Sequence, residues 1–275
     1  MDFGLDVSQH QLTWPELADR VRFAEGAGFT SAWVFDHFTP LYGDPKGPCL
    51  EGWTLLAALA AITERVRLGT LVTGITYRHP SLLATQAITV DHVSGGRLDL
   101  GLGAAWHDRE HRALGIDFPG PRGRAERLEE AVEVIRRLMT TDGATFDGRH
   151  YQLHDATYRP RPVQRPHPPL WIAGSGPRRM LPLVARAADV WHTFGAPADL
   201  ARKSRIVDEH AERAGRDPAA IRRATNLSIS GTAATIRRDA EQRAEVGFDY
   251  LIASWPEQGR GQVERFVEEV VPALA

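Results

Sequence analysis

The chain has 275 residues, 43% hydrophobic and 25% charged, with a formal net charge of -2. That balance excludes the strong positive field that draws nucleic acid or an anionic membrane. A single cysteine, Cys49, excludes an internal disulfide and fits a reducing compartment. No apolar run nears the roughly 20 residues of a membrane helix, and Met1–Asp6 carries no basic stretch before an apolar one. A cytoplasmic protein that binds neither nucleic acid nor membrane is therefore expected.

In chain order, Phe3–Val7 reads as a strand and Pro15–Gly28 as a helix, with Thr13 as N-cap and Gly28 past its end. Thr30–Phe35 is a second strand, followed by the Ala- and Leu-rich helix Glu51–Thr63. Val66–Val72 is a third strand before the proline-opened helix Pro80–Val93. Arg97–Leu102 is a fourth strand, with a helix from about Arg124 to Thr140. Pro169–Ala173, Ala188–Phe194, Ala224–Ser230 and Phe248–Ala253 are the remaining strands. Helices Pro177–Ala187, Pro197–Ala214, Thr235–Val246 and Gln262–Val271 follow them. Eight strand–helix pairs with short connections predict one α/β domain over residues 1–275, a (β/α)₈ TIM barrel. A doubly wound sheet is the alternative, weakened because no G-x-G-x-x-G follows the first strand. Two insertions stand out: the loop Thr39–Leu50, and Thr141–Pro168 after the fourth helix. The second contains a hairpin pattern with an Asp147-Gly148 turn and a proline-rich connector, Arg159–Pro169.

In such a barrel the loops after the strands gather on one face, where active sites lie. The second strand breaks from Ala32-Trp33-Val34-Phe35 into Asp36-His37-Phe38, where groups able to move protons meet solvent. The third ends in Leu71-Val72-Thr73-Gly74, and the fourth in Gly103-Ala104-Ala105-Trp106-His107, small residues before a large ring. The fifth ends in Gly174-Ser175-Gly176, opening a helix whose first turn holds Arg178 and Arg179, which suits a phosphate. The sixth ends in Trp191-His192-Thr193-Phe194. Small residues on two loops and an anion site on a third favour a planar, phosphorylated cofactor. Trp53 and Trp106 are read as pocket residues, with His192, whereas Trp33 and Trp171 belong to the core. Glu51 is read as a helix cap. His107 and His111 have the spacing of metal ligands but no evident third partner, so no metal is expected.

Taken together, these residues resemble the luciferase-like monooxygenase family, in particular its F420-dependent oxidoreductase branch. The resemblance rests on Asp36-His37-Phe38, Leu50–Thr54, Thr63–Thr70, Tyr77-Arg78-His79-Pro80, Ser94–Gly103, Phe146–Tyr151, Gly174–Pro177 and Ala187–Trp191. It implies a barrel holding a deazaflavin (coenzyme F420), or alternatively FMN, at the C-terminal ends of its strands. It implies a non-prolyl cis peptide at Leu71-Val72 backing the ring, His37 beside the reactive carbon with Asp36 next to it, and a phosphate at Gly174–Gly176. Family habit implies a homodimer. One departure matters: in the sugar-phosphate dehydrogenases of the family a glutamate stands where this chain has Ala104, and Glu110 or His107 are the candidates to replace it.

The leading expectation is hydride transfer between F420 and a small-molecule substrate, with His37 as general acid or base and Asp36 orienting it or binding the cofactor. The rivals are an FMN-dependent monooxygenase using reduced FMN and oxygen, and a flavin- or deazaflavin-binding protein without catalysis.

Overall fold

The computed structural model describes residues 1–274. The elements run β1 (Asp2–Asp6), α1 (Trp14–Gly26), β2 (Ser31–Val34), α2 (Gly52–Ala61), β3 (Arg67–Thr70), β4 (Thr73–Gly74), α3 (Pro80–Val93), β5 (Leu98–Gly103), α4 (Asp108–Leu114) and α5 (Pro121–Thr140). They continue with β6 (Ala144–Asp147), β7 (Gln152–Ala156), β8 (Leu170–Ala173), α6 (Met180–Ala187), β9 (Val190–His192), α7 (Pro197–Arg213), β10 (Arg222–Leu227), α8 (Ala233–Glu245), β11 (Tyr250–Ser254) and α9 (Arg260–Arg265), which passes into a π-helical turn at Phe266–Val270. Every neighbour in the main sheet is parallel, and β3 pairs with both β2 and β5 while β1 pairs with both β2 and β11. With β4 counted as a continuation of β3, the sheet closes into the expected eight-membered barrel. The hairpin β6–β7 is a separate antiparallel pair. Its connection is the four residues Gly148–Tyr151, closed by the Gly148 amide on the Tyr151 carbonyl at 3.0 Å, rather than the tight Asp-Gly turn expected.

The short strands are buried on both faces, as parallel strands must be when helices cover the outside. Inside the barrel, Trp33 and Trp171 pack with ring centroids 4.4 Å apart, and Tyr250 and Ile252 join them. Gly69 makes this possible: a β-carbon there would meet the Trp33 ring at 2.4 Å. The indole of Trp33 and the phenol of Tyr250 both donate to Ser31 Oγ, at 2.7 and 2.8 Å. Such pairing lets amphipathic rings lie in a dry interior.

The Leu71-Val72 peptide is cis, as the resemblance implied. The chain bulges there before Thr73-Gly74 rejoins β5 opposite Leu102-Gly103. Two glycines of β5 accept the bulge. A β-carbon at Gly101 would lie 2.0 Å from the Thr70 carbonyl oxygen, and one at Gly103 2.6 Å from Val72 Cγ2.

Two local readings are corrected. α6 begins at Met180 rather than Pro177, so Arg178 and Arg179 lie in the turn before the helix. The segment Asp108–Leu114, which the sequence reading assigned to no element, is the helix α4, with acids in its first turn and Gly115 in left-handed conformation (φ 67°) ending it.

Candidate active site

A cavity of about 480 Å³ opens at the C-terminal ends of the strands. Of the residues expected there, Asp36, His37, Leu71, Val72, Gly74, Gly103, Ala104, Ala105, Trp106, Gly174, Ser175 and His192 line it. Three do not. Thr73 is fully buried and its hydroxyl bonds to Thr70 Oγ1 at 2.6 Å, while Gly176 lies just beyond the lining. Trp53 is the clear correction to the pocket reading: it is 2% exposed, in the helix–sheet core, with its indole N–H donating to Thr73 Oγ1 at 3.0 Å. The cause is Glu51, whose carboxylate caps α2 by accepting the amides of Trp53 and Thr54 at 3.1 and 2.7 Å. That start turns Trp53 under the β4 bulge instead of into the cavity.

His37 sits at the floor. Its Nδ1 is 2.9 Å from Glu110 Oε2, and Nε2 has no protein partner among the described residues and is not sealed off. A carboxylate cannot donate, so Nδ1 carries the proton and Nε2 presents a lone pair to the cavity, or an N–H when the ring is charged. Glu110 has no exposed side-chain surface. Its Oε1 accepts the amides of Phe38 and Thr39, both at 2.9 Å, and the Thr39 hydroxyl at 3.0 Å. The Tyr77 hydroxyl donates to Oε2. Burial alone would raise the Glu110 carboxyl, but the bonds from His37, Tyr77 and Phe38 outweigh it and hold the group far below the usual carboxylate range. Burial, then the hydrogen bond to Glu110 and its charge, push Tyr77 well above an ordinary phenol.

Asp36 does not orient His37, as had been one reading. It is sealed in a fork with Arg78, Nη1 to Oδ2 at 2.6 Å and Nη2 to Oδ1 at 2.8 Å, and it accepts the Gly74 amide at 3.2 Å. Burial pushes its carboxyl up while Arg78 pulls it back. The pair ties the end of β2 to the β4 bulge, with Arg78 reaching Glu51 at 3.3 Å as well. Sequence reasoning misses Arg78 and Tyr77 as site residues, although both belong to the Tyr77-Arg78-His79-Pro80 motif.

Neither candidate fills the role left open at Ala104. Glu110 lies behind His37, away from the cavity. His107 is not part of the lining, and its ring only approaches His37 at 5.7 Å. His111 is spent elsewhere: its Nδ1 donates to the His107 carbonyl at 2.8 Å, its Nε2 meets Thr76 Oγ1 at 2.6 Å, and its ring stacks on Tyr77. His192 has a folded-state pKa near 4 because burial outweighs its bond to Asn226 Oδ1.

At the other end of the cavity, the Gly174 amide donates to the His192 carbonyl at 3.1 Å, while the amides of Ser175 and Gly176 have no protein acceptor among the described residues. The Thr193 hydroxyl beside them is buried and without a partner. These orphaned donors suit a bound phosphate, and the Leu71–Val72 wall facing His37 suits a flat ring, so the residues fit a phosphorylated flavin-type cofactor.

The luciferase-like monooxygenase family profile matches residues 1–268. The chain is 35% identical to the F420-dependent glucose-6-phosphate dehydrogenase of Kineococcus radiotolerans over 235 residues, 84% of this chain and 68% of that protein. It is 30% identical to the FMNH(2)-dependent dimethylsulfone monooxygenase of Pseudomonas putida over 256 residues, 89% and 69% of the two chains. Its fold superposes on an F420-dependent secondary alcohol dehydrogenase in complex with an F420-acetone adduct with a TM-score of 0.90 at 22% identity, covering 100% of this chain and 99% of that one. A tetrahydromethanopterin reductase from Methanopyrus kandleri follows at 0.85 and 19%. The chain belongs to the luciferase-like monooxygenase family, with that family's F420-dependent members among its relatives, and is an enzyme of that class.

Proposed function

We propose that this protein is an F420-dependent oxidoreductase in which His37 Nε2 exchanges the proton that accompanies hydride transfer. The observation that carries this reading is the position of His37: one nitrogen pinned to a buried carboxylate, the other open to a cavity fit for a flavin-type ring. F420, when bound, gives or takes a hydride. Leu71 and Val72 would back its ring, and Ser175, Gly176 and Thr193 would hold its phosphate. Arg178 and Arg179 follow in the same turn, outside the cavity lining, and would add positive charge near that phosphate. Asp36 and Arg78 would keep the bulge in place, and Glu110 would keep His37 in one tautomer and one orientation. Identity to an F420-dependent relative across most of the chain supports the cofactor. The FMN-dependent relative at 30% identity keeps reduced FMN as the second reading.

Fluorescence titration of the purified protein with F420 and with FMN separates the two. We expect F420 to bind with a Kd below about 100 μM. FMN binding alone would favour the monooxygenase, and binding of neither would end both readings. His37→Ala should keep F420 affinity and lose about 10²–10⁴-fold in turnover. F420 binding with turnover indifferent to that change would remove His37 from the chemistry, and binding with no redox activity at all would leave a carrier.

A further inference from the structure

We infer that the substrate is uncharged and largely apolar, an alcohol or its ketone with a hydrocarbon body. The inference rests on the F420 oxidoreductase reading and names the class that its cavity admits. Three large rings ring the opening, each on a different loop: Tyr42 after β2, Trp106 after β5 and Phe194 after β9, exposed by 67%, 65% and 66%. Single exposed rings are ordinary on soluble proteins, but three in the lining of one cavity give it the largely aromatic and apolar character that marks a ligand groove. Leu41, half-buried, lines the same cavity.

The charge pattern agrees. Among the described residues, the lining holds no lysine or arginine. The cations nearby are already paired. Arg78 is held by Asp36 and Glu51, and Lys203, behind the Phe194 loop, is held by the Phe194 carbonyl at 2.7 Å and Asp199 at 2.6 Å. The Arg178-Arg179 turn belongs to the cofactor phosphate in this reading. An anionic substrate entering between the rings would lose its water and gain no counter-charge, which is strongly unfavourable. The lining's carboxylate is also unable to hold sugar hydroxyls, because Asp36 is locked to Arg78 and position 104 is alanine. His37 Nε2 is then the unpartnered proton-exchanging nitrogen at the Leu71–Val72 side of the cavity in this reading, with Tyr77 spent on Glu110 and His192 Nε2 on Asn226.

One nitrogen plus one hydride acceptor suits a carbinol. The C–H bond breaks with its electron pair passing to oxidised F420, the O–H proton passes to Nε2, and a C=O bond forms. The reverse direction consumes reduced F420 and that same proton.

The test uses protein whose F420 affinity has first been measured by titration. Bleaching of F420 absorbance is followed with a panel of neutral secondary alcohols including cyclohexanol, with hydroxy acids of matched carbon skeleton, and with glucose 6-phosphate. Turnover of at least one neutral alcohol is expected, with kcat/KM at least about tenfold above its matched hydroxy acid. Phe194→Lys should narrow or reverse that ratio. A hydroxy acid or the sugar phosphate as the better substrate, or no turnover of any alcohol by F420-loaded protein, would overturn the inference. If F420 itself fails to bind, the cofactor reading falls alone. The charge preference is then read without cofactor, from tryptophan quenching by cyclohexanone against cyclohexanecarboxylate, with Trp106→Phe as the control that removes the mouth signal. Tighter binding of the carboxylate would overturn it, and tighter binding of the ketone would leave it standing.

Discussion

Glu110 Oε2 lies 2.9 Å from His37 Nδ1, although His37 follows β2 and Glu110 sits in the first turn of α4 after β5, 73 positions apart. The carboxylate fixes which nitrogen of the ring faces the cavity. Glu110→Gln keeps the shape and removes the charge. The variant should fold and bind F420 with unchanged affinity, yet lose about 10²-fold or more in kcat, because an amide can also donate and so permits the wrong tautomer. A turnover and pH profile equal to the parent enzyme's would show that Glu110 serves only to tie the loops.

Arg78 is the counter-ion of a carboxylate that has no exposed side-chain surface. Removing one partner of a buried pair leaves the other charge without compensation, so Arg78→Met should cost about 3–5 kcal/mol in urea unfolding. Adding Asp36→Asn to that variant should recover much of the loss. Equal stability of the single and double variants would show that the pair does not act as a unit.

The two glycines of β5 make a steric prediction. Gly101→Ala sets a β-carbon against the Thr70 carbonyl oxygen, a backbone atom that cannot swing aside. We expect a loss of about 1–3 kcal/mol or more, with cofactor binding weakened as the bulge shifts. Gly115→Ala, where no atom lies within 4 Å but φ is 67°, should cost less, near 1 kcal/mol, through backbone strain alone. Comparison of their thermal midpoints checks the order.

The barrel was legible because fully buried parallel strands leave short apolar runs in the sequence, each cut off where its loop begins. Those cut-offs located most of the cavity lining. What was not legible depended on direction and distance. Trp53 stands beside the right loop, but the Glu51 cap rotates it away, and residue type does not reveal that rotation. Asp36 precedes His37 in the chain, yet its carboxylate is taken by Arg78 and by the Gly74 amide, groups 42 and 38 positions further on, so its partner is Arg78 rather than the adjacent histidine. Helix α4 did carry a signal: Asp108 and Glu110 in its first turn, His111 and Arg112 in its last, then glycine. Its seven residues were too few for an apolar period to rise above the polar background.

His192 gives a pH prediction. Its folded-state pKa is near 4, below the ordinary 6.5 of the unfolded chain. Above pH 6.5 both states are neutral and the residue contributes no pH dependence. As pH falls from 6.5 towards 4, the unfolded chain takes up a proton that the folded chain refuses, so stability declines, by at most about 3 kcal/mol. Below 4 both states are charged and the loss levels off. His192→Gln should flatten the thermal midpoint across pH 6.5 to 4 relative to the parent, and an unchanged slope would count against a neutral buried imidazole.

Glu126 lies 3.2 Å from Arg179 and also pairs with Arg122 at 2.8 Å. It already occupies part of the positive charge that the phosphate turn offers. If the proposed cofactor phosphate binds there, loading it would be an exchange of one anion for another, and only part of the attraction would appear as affinity. Raising ionic strength screens both partners of Arg179, so retention of the cofactor should fade with salt more gently than two unoccupied arginines would allow. Glu126→Gln would steepen that dependence while tightening binding in dilute buffer.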